Sequence, residues 1–173
     1  HFLEGKIAPW KFKRTDSIIP DDLVDKNREK IVLDSEGRTE SARLASFFKR
    51  KLGKEHIEVE AKSLAQDHLP GMILIKEEER RMRDYLLVMD PENAEKRGNT
   101  PSTFVINTNN PLISHIIAID KFDSSLADSL AEEVYNLALL SQNEMGPKAL
   151  DPFVKKTTDI LEKLAEKISK QVS

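Results

Sequence analysis

The side chains of this sequence that could carry acid–base or metal chemistry are His56, His68, His115 and the run Glu77-Glu78-Glu79. None of these three histidines has another histidine four residues away, the spacing that turns two imidazoles toward one metal ion on a helix, so each reads as a structural histidine. Neighbouring residues on a helix project about 100° apart, so the three glutamates cannot work as a catalytic pair. They suit a solvated helix N-terminus, where negative charge is favourable. No serine stands in a nucleophile elbow, and the six glycines are scattered singly, so there is neither a phosphate-cradling loop nor a dinucleotide fingerprint. A small hydrolase using His56 or His115 with a nearby acid is therefore the least supported reading. What remains is binding chemistry. Met82, Leu86 and Met89 recur at helical spacing within a charged stretch, with Tyr85 beside them. Methionine adapts to irregular apolar partners, so this stripe suits contact with unfolded or partly folded polypeptide. Packing into the chain's own core is the rival, because a half-buried helix carries the same pattern.

The elements that must position this stripe follow from the pattern around it. Thr39 can cap a helix whose face is Leu44, Phe48 and Leu52 and which Gly53 ends. Ile57, Val59 and Ala61 alternate with Glu58, Glu60 and Lys62, as in a strand with one buried face. The apolar run from Gly71 to Ile75, after a turn at Pro70, predicts a strand covered on both faces. Residues 77–89 read as a helix with Glu77–Arg81 and Glu79–Arg83 in the favourable order for pairing. Residues 90–102 read as a mobile polar loop, Thr103 to Asn107 as a third strand, and Asn110-Pro111 as the opening of a helix that runs to about Asp120.

The tail holds two amphipathic helical patterns. In the first, Leu126, Leu130, Val134, Leu137 and Ser141 recur on one face, widened by Leu139 and Leu140. Met145-Gly146-Pro147 is expected to stop it, with glycine in the left-handed cap, and Asp151-Pro152 to start the second. Phe153, Thr157, Ile160, Leu161, Leu164, Ile168 and Val172 line that second helix. A lone hairpin buries only one side of each stripe, so pairing with a second copy would complete it; packing of both helices on their own domain is the equal alternative.

Length and charge bound the rest. The chain has 173 residues, 33% of them charged, with a net charge of −3 and both signs interspersed. That balance leaves no electrostatic footprint for nucleic acid or an anionic membrane. No apolar run spans a bilayer, no signal-peptide pattern opens the chain, and the absence of cysteine fits the cytoplasm. Residues 1–16 alternate apolar and basic from Trp10 to Arg14, as an edge strand does, and residues 18–30 read as a linker. The start at His1-Phe2-Leu3 is expected to be a cut through a longer protein.

Phe104-Val105-Ile106-Asn107-Thr108-Asn109-Asn110-Pro111-Leu112-Ile113 resembles the strand, asparagine, short turn and helix-opening proline of the C-terminal domain of the ninety-kilodalton heat-shock chaperone family, in its bacterial HtpG-type form. Asn110 stands where the family usually has histidine. Leu69-Pro70-Gly71-Met72-Ile73-Leu74, the helix from Arg81 to Leu86 and the closing Asp151-Pro152 helix are similar to their family counterparts, and residues 1–16 resemble the end of the family's middle domain. The resemblance implies an α+β fold: a small three-stranded sheet flanked by helices, with two C-terminal helices forming an intermolecular four-helix bundle. Residues 1–30 would be the remnant of the preceding domain and linker, and 31–173 the dimerisation domain, with an α/β body over 31–120 and dimer helices over 124–173. It further implies a homodimer through Leu130, Val134, Leu137, Phe153, Ile160, Leu161, Leu164 and Ile168, and client contact through Met82, Tyr85, Leu86 and Met89. No catalytic residue and no cofactor belong to this segment, ATP and magnesium being the business of an N-terminal domain absent here. The ending Lys170-Gln171-Val172-Ser173 is not the acidic pentapeptide that recruits repeat-containing co-chaperones in the eukaryotic branch. The competing reading is a monomeric adaptor that takes a partner helix in the groove between its tail helices.

Overall fold

A computed structural model describes Val24 and residues 39–90 and 100–172. The chain runs α1 (Glu40–Leu52), β1 (Ile57–Lys62), β2 (Gly71–Leu74), α2 (Glu77–Met89), β3 (Ser102–Asn107), α3 (Pro111–Asp120), α4 (Ser124–Ser141) and α5 (Pro147–Val172). The fold is α+β. The expectations for residues 1–30, and for a mobile loop over 91–99, lie outside the described residues except at Val24, which bridges Leu64 in antiparallel fashion.

α1 begins and ends as its sequence predicts: Thr39 Oγ1 accepts from Ala42 N at 3.1 Å, and Gly53 takes the left-handed conformation at φ 59°. Its face of Leu44 and Phe48 is buried against the sheet. In that sheet β3 is central, with β1 parallel on one side and β2 antiparallel on the other. Val59, Phe104 and Ile73 stand abreast, one from each strand. Phe104 meets Phe48 of α1 and Tyr135 of α4 edge to face, with centroids 6.4 and 5.4 Å apart. Burial pushes the Tyr135 hydroxyl up to about 12, so it stays protonated in the core.

The run from Gly71 to Ile75 is not the doubly covered strand its apolar content predicts. β2 lies at the sheet edge and its burial alternates, with Gly71, Ile73 and Ile75 inside and Met72 and Leu74 half-buried. The strand buried on both faces is the central one, β3, where Phe104 to Asn107 are all buried. Gly71 is required where β2 meets β3: a Cβ there would stand 2.6 Å from the Phe104 ring and 2.9 Å from the Val105 carbonyl oxygen. The outer edge of β2 is occupied by a side chain. Gln142 Oε1 accepts from Ile73 N at 2.5 Å and its Nε2 donates to Ile73 O at 2.9 Å, as a neighbouring strand would.

Beyond β3 the chain turns on three asparagines. Asn107 Oδ1 accepts from Leu64 N and Asn109 N, both at 3.1 Å, and its Nδ2 donates to Gln66 O at 2.8 Å and Leu69 O at 2.7 Å. Asn109 Nδ2 donates to Leu64 O and Asn110 Nδ2 to Asp67 O, both at 2.8 Å. Asn110 Oδ1 meanwhile caps α3 by accepting from Leu112 N at 3.0 Å. Together they bind the 63–70 connection, whose own backbone lacks a ladder, to the end of β3.

The tail hairpin departs from its predicted boundaries at both ends of the turn. α4 is closed by Asn143, left-handed at φ 58°, not by Gly146. Glu144 N reaches Leu139 O at 2.8 Å and Asn143 N reaches Leu140 O at 3.1 Å, a Schellman closure that asparagine tolerates better than any other residue with a Cβ. α5 then starts at Pro147, so Asp151-Pro152 lies inside the helix and not at its start. Pro147 suits the first position, where its missing N–H costs nothing. Lys156 pairs with Glu132, and Lys167 Nζ with Asp123 Oδ2 at 2.8 Å, so α5 runs back antiparallel along α4. The Lys167 ammonium, with the Leu126 N–H behind it, holds the Asp123 carboxyl below its ordinary value.

Lys51 ties three helices together. Its ammonium, only 8% exposed, lies 2.5 Å from Asp120 and 2.5 Å from Asp128, and donates to Ser124 Oγ at 2.8 Å. Burial alone would lower its pKa; the two carboxylates override that and raise it. Asp120 is correspondingly held low, chiefly by Lys51.

Candidate functional site

α2 is the helix that its own fold leaves bare. Glu77, Glu78 and Glu79 sit in its first turn, and Glu77 pairs with Arg80 and, at 3.0 Å, with Arg81. Arg80 is its one buried residue. The predicted Glu79–Arg83 pair gives way to a longer reach: Arg83 Nη1 meets Glu144 Oε2 at 2.5 Å, fastening α2 to the connection between α4 and α5. Met82, Tyr85, Leu86 and Met89, the four residues read from sequence as a contact stripe, are all exposed, at 59%, 60%, 49% and 67%. Val88, 80% exposed, adds to them. With 49% to 67% of their surface exposed, these four apolar side chains do not pack into the core formed by the described residues.

The eight residues of the predicted dimer face divide between two surfaces. Val134 is 1% exposed within the chain's own core and Ile160 is 6% exposed, so neither has surface left to offer a second copy. Leu130 is half-buried against the same core, and Phe153 and Leu164 are half-buried. Leu137 at 42%, Leu161 at 61% and Ile168 at 61% face outward. Leu140, which widens the stripe of α4, is 42% exposed, and two further residues absent from the predicted face, Leu150 and Val154, are 43% and 53% exposed. Counting by heptads would have found Leu150 and Val154. Leu150, Val154, Thr157, Leu161, Leu164 and Ile168 alternate by four and three residues along α5, the seam of a coiled coil. Between the two faces lies Glu133, 6% exposed, whose Oε2 accepts from Thr157 Oγ1 at 2.8 Å while Oε1 has no hydrogen-bond partner among the described residues.

The histidines are placed apart. His56 precedes β1 and lines a cleft of about 230 Å³ with Glu55, Glu58, Lys76 and Glu79, whereas His68 lies exposed in the 63–70 connection and His115 exposed on α3. Among the described residues no group of three or more histidine, aspartate or glutamate side chains could hold a metal ion. No helix among them is long and apolar enough to cross a membrane. No protein-family model matches the chain, and no curated protein matches it.

Proposed function

We propose that this chain is a homodimerisation and client-contact module, the C-terminal part of an ATP-dependent chaperone of the ninety-kilodalton heat-shock family. The observation that carries the reading is the α5 seam: Val154, Leu161 and Ile168, seven residues apart, are each more than half exposed on a helix whose other face already packs on α4. A second α4–α5 hairpin laid against it would form a four-helix bundle and bury both copies of the seam at once. The bare stripe on α2 supports the second half of the reading, because its methionines suit shape-variable apolar partners. The chemistry is then mechanical. Two chains joined at one end hold their remaining domains at high effective concentration, so weak contacts between those domains suffice for closure, and nucleotide hydrolysis belongs to them.

Sedimentation across a dilution series tests this. The wild-type chain is expected at twice its own mass and Leu161→Asp at once, with unchanged far-ultraviolet circular dichroism because Leu161 is 61% exposed in the single chain. A dimeric Leu161→Asp would overturn the interface. A wild type that is monomeric at every concentration would move the monomeric adaptor ahead.

A further inference from the structure

Between α1 and α3 runs a groove of about 270 Å³ that no part of the dimer or client reading uses. Its floor is apolar, with Phe47 and Ile117 half-buried, and its walls carry Arg43, Arg50 and Lys121, all exposed. The one acid in the lining is Asp120. That carboxylate binds Lys51 at 2.5 Å and the Ser124 hydroxyl at 3.0 Å and also feels the Arg50 charge, so in the lining one acid stands against three cations. Arg43, Arg50 and Lys121 make no ion pair among the described residues. The Arg50 guanidinium lies 5.7 Å from the centre of the Phe47 ring, a cation–π contact that holds its planar fork along the groove. Directly after Lys121, Phe122 is 90% exposed, the most exposed of the chain's large apolar side chains among the described residues. In a protein of net charge −3, three cations and one carboxylate around an apolar floor form a local excess of positive charge.

We propose that this groove docks an extended acidic segment of a partner protein, with carboxylates on the arginines and an apolar side chain between them over Phe47 and Ile117. The spacing fits. Arg43 and Arg50 are two turns apart on α1, about 10 Å along its axis, close to one turn of an extended segment in the polyproline II conformation, where side chains three residues apart fall on the same side about 9 Å from each other. Carboxylates three residues apart therefore reach both guanidinium forks, each of which can take a carboxylate in bidentate fashion. A polynucleotide fits less well, because a long polyanion meets the negative surface of the whole molecule, while a short peptide feels only the potential within a screening length.

The test is fluorescence anisotropy on the full chain with a fluorescein-labelled peptide of glutamates separated by two leucines. Binding is expected to weaken with salt and to fall about tenfold or more in the double variant Arg43→Glu, Arg50→Glu, the loss of two charge-assisted contacts. Glutamate is a good helix former at both exposed positions, and circular dichroism checks that α1 survives. The variant Met82→Ser, Leu86→Ser is expected to bind the peptide as wild type does, which separates this groove from the α2 stripe. The same peptide with lysine for glutamate is expected not to bind. No binding by wild type, undiminished binding by the double arginine variant, or equal binding of a single-stranded oligonucleotide of matched charge would each overturn the proposal.

Discussion

Asn107 uses both lone pairs and both N–H groups of its side-chain amide, every one on a backbone group of the turn it stabilises. A residue that is fully buried and fully hydrogen-bonded has no neutral replacement. Asn107→Ala removes the side-chain partner of the Leu64 and Asn109 N–H groups and of the Leu69 carbonyl, leaving the Gln66 carbonyl only its bond from Leu69 N, and is expected to cost about 3 kcal/mol, read as a lower midpoint in urea at unchanged slope. Asn107→Asp keeps the shape but turns an oxygen toward the Gln66 and Leu69 carbonyls, so it should cost at least as much. A variant as stable as wild type would show that water replaces the amide. The asparagines also show what residue types alone reveal. The helix start at Asn110-Pro111 was legible from local capping chemistry, but the role of Asn107 was not, because its partners lie about 40 residues earlier in the chain.

At the scale of elements, legibility followed locality. Thr39, Gly53 and Asn110 act on their own helix ends and do what their positions predict, and β1 alternates as predicted from Ile57 to Ala61. Composition misled where neighbours decide: an apolar run says that a strand is covered but not by how much, so β2, read as covered on both faces, lies at the edge with alternating burial. The turn between α4 and α5 misled for another reason, since Asn143 and Gly146 both tolerate a left-handed conformation and only the Schellman bonds choose between them. Periodicity likewise separates a helix into faces without saying which face meets its own domain, and so Val134 and Leu137 were read as one surface. α2 is the element whose exposure could not be read at all. Its stripe makes a clean prediction: Met82→Ser with Leu86→Ser should leave the unfolding midpoint within about 0.5 kcal/mol of wild type, as surface changes do. The same variant should lose suppression of aggregation of a denatured client when placed in the full-length protein. A large loss of stability instead would return the stripe to the core.

The whole molecule is held as layers joined by ions. Lys51 links α1 to the α3–α4 corner through Asp120 and Asp128, and Lys167 links the two tail helices through Asp123. Both Asp120 and Asp123 are held below the ordinary value of 3.8, so the unfolded chain binds their protons more readily. Their contribution is therefore complete above that value and is lost as pH falls through the lower folded ones. Lys51, raised above 10.5, contributes fully below that value and loses its hold as pH rises through the higher folded one. Thermal midpoints are expected to be flat in between and to fall at both ends, with a shallower acid limb in Asp120→Asn. An acid limb of unchanged steepness in that variant would show that the tie adds nothing. The amide of Gln142 imposes a different kind of unity. Because it caps the C-terminus of α4 and is also the neighbour of Ile73, fraying of α4 and baring of the sheet margin are a single event. Whatever loosens the tail hairpin also presents a raw strand to other chains, and the solubility of the β-sheet is thereby entrusted to the cohesion of a helix.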